Sequence, residues 1–182
     1  CGSVSKYFPH AGGSEARRFH RQIPGYRMTP LKGLTRLAGM LGLGGIWVKD
    51  EAQRLDLGSF KVLGGSFAIY RYIQARLGAS ESFGYCDLMS PEVKEKLGKL
   101  TFAAATDGNH GRGVAWAASQ LGFDSVIYVH RLTSRSRIEA IERNGAKVVV
   151  VDGTYDDAVR QVNQDAAANG WQVAPFTGAW IE

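Results

Sequence analysis

No apolar run in this chain approaches the roughly 20 residues that a membrane-spanning helix requires, which excludes that class. Cysteine is scarce as well: Cys1 and Cys86 are the only two, and neither sits in a metal-ligand spacing. That excludes a disulfide scaffold and fits a reducing cytoplasm. The opening CGSVSKYFPHAGGSEARRFHRQIPGY lacks the apolar core of a secretory signal. Rich in glycine, serine and arginine, it reads as a lead-in segment rather than a folded unit. A start at Cys1 in place of methionine suggests processing or an incomplete chain. Low-complexity tracts are missing. Acidic residues are the minority, 17 against 22 Lys and Arg, for a net charge of +5. The basic residues are scattered apart from ARRFHR and the RLTSRSR of 131–137, and no nucleic-acid-binding motif accompanies them. The expectation is a solvated basic face that helps to attract small anions, with neither nucleic acid nor membrane as a partner and no metal.

What remains is an ordinary globular composition, 45% hydrophobic and 21% charged over 182 residues, enough for one domain or two small lobes. Thr29 and Pro30 look like the N-cap and first residue of a helix, with Leu31, Leu34, Leu37 and Leu41 on one face and Gly42 and Gly44 to stop it. GIWVKDE reads as a short buried strand and SPEVKEKLG as a short capped helix. From residue 101 the pattern becomes regular. TFAAAT, SVIYVH, KVVVVD and WQVAPF begin at 101, 125, 147 and 171, with one helical stretch in each interval. The first runs from near His110 to Leu121. The second is capped near Ser134 and closed by Gly145, and the third has acids in its first turn and Gly170 after its end. Such alternation predicts a parallel sheet covered by helices.

Two stretches carry candidate chemistry. From about Ser59 to Leu77 the chain reads as a helix whose first turns are apolar except for Lys61 and Ser66. Lys61 either lays its stem on apolar surface with the ammonium in water, or is held inside, where desolvation favours the neutral, nucleophilic amine. The pair Gly64–Gly65 costs on the order of 1 kcal/mol per glycine in a helix, so something must approach that backbone closely. The second stretch is ATDGNHGRG at 105–113, between a strand and a helix. It offers Asp107, Asn109, His110 and three glycines where open parallel sheets gather their ligands. A Gly-rich turn has a purely structural explanation too. The spacing is GxxGxG rather than GxGxxG, and the strand ending YVHR lacks a ribose-binding acid, which speaks against dinucleotide binding. His110 has no partner at metal-ligand spacing.

In order, TPLKGLTRLA, IWVKDE, GSFKVLGG and ATDGNHGRGVAWAA resemble the fold type II (tryptophan synthase β-like) pyridoxal-phosphate enzymes, over roughly residues 26–181. FKVLGGSFAIY with ATDGNHGRGVAWAA is most similar to the diaminopropionate ammonia-lyases of that family. The resemblance implies an α/β fold of parallel sheets covered by helices, here truncated. Residues 1–85 would begin the large cofactor-binding lobe, 86–176 form a small lobe with a four-stranded parallel sheet, and 177–182 start the return. It implies pyridoxal 5'-phosphate as cofactor, linked covalently through Lys61, with Asn109 bonding its phenolic oxygen. It further implies that Thr106, Asp107, Gly108, His110 and Gly111 hold the substrate carboxylate, and that Asp107 helps remove the α-proton, notably of the D-enantiomer. The implied reaction is α,β-elimination of 2,3-diaminopropionate to pyruvate and ammonia by a cytoplasmic homodimer. Thr177 stands where the family carries a second active-site acid, and the chain has about half the implied length, without the phosphate cup. A non-catalytic remnant serving as a binding module therefore stands as the alternative. Within the same fold a serine or threonine dehydratase is a further one, opposed by Asp107.

Overall fold

The computed structural model describes residues 10–106 and 108–174. Its centre is a four-stranded parallel sheet of β3 (Thr101–Ala105), β4 (Asp124–His130), β5 (Lys147–Val151) and β6 (Gln172–Val173). The strand order is β5-β4-β3-β6, with Ala103 beside Val126 and Val173. Alternation along the strands sorts the side chains into two layers. Phe102, Ala104, Ile127 and Val129 point into one cluster with α6 (Asn109–Gln120) and Ile141 of α7 (Arg135–Glu142). Ala103, Ala105, Val126 and Tyr128 point into the other, against Ala158 and Val162 of α8 (Tyr155–Asn169). The elements predicted from residue 101 onward are all present; Pro175 and Phe176 of the fourth predicted strand lie outside the described residues. The caps are local chemistry: Thr154 and Asp157 bond each other's backbone N–H to start α8, and Gly170 closes it in the left-handed conformation. After the single turn α4 (Tyr85–Leu88), Ser90 caps α5 (Pro91–Leu97) through the N–H of Val93.

Three expectations for the first half are corrected. Residues 10–22 are no loose lead-in: α1 (His10–Gln22) packs on α3 (Lys61–Leu77), with the buried Phe19 ring stacked on Tyr70 at 4.4 Å and His20 Nε2 bonded to the Leu63 carbonyl at 2.8 Å. The apolar partners that hold this helix come from a segment some 45 residues on, so the local composition hides them. The helix expected from Thr29 to Leu41 is instead a strand and a shorter helix. Leu31–Gly33 (β1) pairs antiparallel with Trp47–Lys49 (β2), and only Thr35–Met40 (α2) is helical. Thr29 is buried and hydrogen-bonds Glu51 and Arg54 instead of capping a helix. Third, GIWVKDE does contain a strand, but an exposed one, with Trp47 65% accessible. Among the described residues no third strand joins this hairpin.

Candidate active site

Two helix starts meet at the carboxyl ends of β3 and β4. Lys61 is the first residue of α3, half-buried, its N–H donated to the hydroxyl of the buried Ser59 at 3.3 Å. The reason for a glycine pair in that helix is now visible for one member. A Cβ on Gly65 would lie 3.2 Å from the backbone of Gly113 and Val114, and one on Gly113 would lie 3.0 Å from the Lys61 carbonyl and from Val62. The helices α3 and α6 cross backbone to backbone, which fixes Lys61 beside the 105–113 loop. Gly64 faces open space and takes no part in that crossing.

The loop is braced from within. The buried Thr106 hydroxyl accepts the N–H groups of Gly108 at 2.9 Å and Gly111 at 3.1 Å, and the Thr106 N–H goes to the Tyr128 carbonyl. Gly108 has φ +156°, ψ −91°, a conformation that glycine alone adopts readily. A Cβ on Gly111 would lie 2.7 Å from Ile127 Cγ2, so the turn also needs a bare residue there. His110 is buried, with Nε2–H donated to the Ala174 carbonyl at 3.2 Å. Burial first, and the neighbouring Lys61 charge, pull it below the ordinary imidazole range against that carbonyl's opposite pull. It is a neutral structural clamp between loop and β6.

A cleft of about 430 Å³ opens between these elements, lined by Lys61, Gly108, Asn109, Arg112, Ser136 and Arg137. Of the residues anticipated from sequence, Lys61, Gly108 and Asn109 thus share one cleft. Thr106, His110 and Gly111 stand behind it and shape the loop, while Asp107 and Thr177 lie outside the described residues. Sequence reasoning missed Arg112, whose Nε is buried without a hydrogen-bond partner among the described residues, and Ser136 and Arg137 of α7. Arg137 came from the RLTSRSR cluster, read as a solvated face; its Cδ lies 3.6 Å from where a Gly108 Cβ would be. Among the described residues no group of His, Cys, Asp or Glu could hold a metal, and no helix is long and apolar enough to cross a membrane.

The carboxyl end of a parallel sheet is where α/β proteins gather small-molecule ligands, and this cleft holds an amine and two guanidinium groups. The sequence profile of the family described as pyridoxal-phosphate dependent enzyme matches residues 23–177, and the chain belongs to that family. Diaminopropionate ammonia-lyase of Salmonella typhimurium is 45% identical over 169 residues, 92% of this chain and 42% of the relative. The apo crystal structure of Escherichia coli diaminopropionate ammonia lyase superposes with a TM-score of 0.86 at 43% identity, over 95% of this chain and 47% of that one. The same enzyme in complex with D-serine gives 0.86 over 94% and 43%. The chain thus spans less than half the length of these relatives.

Proposed function

We propose that the chain is the N-terminal portion of an ammonia-lyase that converts 2,3-diaminopropionate and water to pyruvate and two equivalents of ammonia by α,β-elimination. The observation that supports it is the placing of Lys61 and Asn109 on one cleft by a glycine-to-glycine helix crossing. The residues fit the reactive end of pyridoxal phosphate: a lysine amine for its aldehyde, an amide for its phenolic oxygen, and a volume within the range of small-molecule sites. The cofactor, when bound, supplies the electron sink for carbanion chemistry. Lys61 holds it and is the amine through which protons pass at the α-carbon. Asn109 orients it. The loop of Thr106, Asp107, Gly108, His110 and Gly111 receives the substrate carboxylate. In the described geometry Thr106 Oγ1 occupies two of its N–H groups, so Arg112 and Arg137 are the better-placed counter-charges. Asp107 serves as base for the D-enantiomer.

The proposal divides the chain into residues 1–85 of a large lobe, 86–176 of a small lobe and 177–182 at the return between them. It places the longer protein in the cytoplasm as a homodimer, in line with a content of only two cysteines and the exposed apolar residues Met28, Met40 and Trp47. The test is pyruvate release by the longer protein from D- and L-2,3-diaminopropionate, serine and threonine. Preference for diaminopropionate, with Asp107→Asn losing the D-substrate more than the L-substrate, is expected. Faster turnover of serine or threonine makes the protein a dehydratase instead.

A further inference from the structure

A second cleft, of about 500 Å³, shares no lining residue with the first and is built almost wholly of cations: Arg17 and Arg21 of α1, Arg27, Lys49 of β2 and Arg54. Three separate segments of chain converge to make it. Its floor is rigid. Arg54, only 4% accessible, donates to both Glu51 carboxylate oxygens, to the Arg27 carbonyl at 2.7 Å and to Thr29 Oγ1 at 2.9 Å. Its guanidinium also lies 5.1 Å from the Tyr26 ring centroid, and Lys49 Nζ donates to the Thr29 carbonyl.

The walls are different. Arg17 and Arg21 stand one helical turn apart on the same face, a spacing at which like charges work against the helix. Among the described residues neither they nor Arg27 has an ion-pair partner. Other basic side chains of this region are matched: Arg71 pairs with Glu15 at 2.7 Å and Arg18 bonds the Glu81 carbonyl. Glu51 is already engaged by Arg54, and among the described residues no carboxylate lines the cleft. The excess charge is therefore concentrated where a cleft opens.

We propose that this cleft binds a small organic phosphate carrying two or more negative charges, of nucleotide size. A single carboxylate would leave most of the positive charge unbalanced. A phosphate ester brings close to two charges and three oxygens that several guanidinium forks can grip together. Tyr26 and the exposed Met28 supply an apolar flank for the organic part. The concave form and the volume suit a small molecule, whereas a nucleic acid is tracked by a basic stripe.

The test is calorimetric titration of the longer protein with ATP and, separately, with pyrophosphate, at about 50 and about 200 mM salt. The expected result is saturable one-to-one binding of ATP, tighter than that of pyrophosphate and unaffected by Lys61→Ala. Arg17→Gln with Arg21→Gln, and separately Arg27→Gln, should each weaken it about tenfold or more, with circular dichroism confirming that both variants fold. Pyrophosphate binding as tightly as ATP removes the organic part from the proposal and so overturns it as stated. It is equally overturned by binding that survives both variants, by binding lost in Lys61→Ala, or by a non-saturable signal that disappears at the higher salt.

Discussion

Lys61 sits at a helix start, half-buried, its N–H donated to Ser59. Removing the side chain should cost little stability, because it opens no cavity in either apolar cluster. Lys61→Ala is therefore expected to keep its melting temperature while losing any borohydride-trappable link to pyridoxal phosphate. Trapping that persists at another lysine would show the assignment to be wrong. The two buried histidines give a pH signature. His20, chiefly by burial and also by the Arg54 charge, and His110, chiefly by burial, are held below the ordinary value of 6.5. A base whose pKa is lowered by folding takes up protons more readily when unfolded. Its contribution is intact above about 6.5 and is lost as pH falls through the folded value. The urea midpoint should thus fall between pH 8 and pH 5.5, before Glu51, ordinarily 4.5 and lowered mainly by its bond to Arg54, begins to protonate. His20→Gln combined with His110→Gln should flatten that slope; an unchanged slope assigns it to other groups.

At the scale of elements, the crossing of α3 and α6 is the joint on which the Lys61 cleft depends. Gly113→Ala would push a methyl to 3.0 Å from Lys61 and Val62 backbone, an overpacking worth about 1–3 kcal/mol. Gly64→Ala meets nothing within 4 Å and should stabilise the helix by up to about 1 kcal/mol. Paired thermal melts check both, and equal behaviour of the two variants would mean that the helices are not in backbone contact. The elements also show what sequence can convey. From 101 to 173 each helix lies over the strands flanking it, so a local period of hydrophobicity suffices to read strand, helix and face. Residues 27–49 defeated that reading because Leu31–Gly33 has its partner at Trp47–Lys49, and leucines at helical spacing do not disclose a hairpin. The site divides the same way. Lys61 and Asn109 stand out within their own motifs, whereas Arg137 joins the cleft only because the fold sets α7 beside the loop.

For the molecule as a whole, apolar exposure is uneven. Met28, Leu31, Met40, Trp47 and Phe60 are all more than half accessible, while the sheet is covered on both faces by helices. Phe60 is bare at 62%, while Phe67 of the same stretch packs on the ring of Tyr70 at 5.6 Å. Exposed residues of this size favour association. The chain by itself is expected to show concentration-dependent mass in sedimentation. It should also bind pyridoxal phosphate weakly and without useful turnover, since Thr106 already engages two N–H groups of the loop that could cradle a phosphate. Tight stoichiometric binding with pyruvate release would refute this.

The strand order β5-β4-β3-β6 also has a meaning in time. β3 ends at Ala105, yet the neighbour on its second edge begins at Gln172. At the roughly 5–20 residues per second of protein synthesis, the wait between them is on the order of several seconds. During that interval β4 and β5 can join the sheet on one side, while the unpaired backbone of Thr101–Ala105 stays on the other, a template for any passing strand. A ribosome that pauses while α8 is being made therefore holds out an open edge. The late arrival of Gln172 and Val173, which pair with Phe102 and Ala103, begins to cover it.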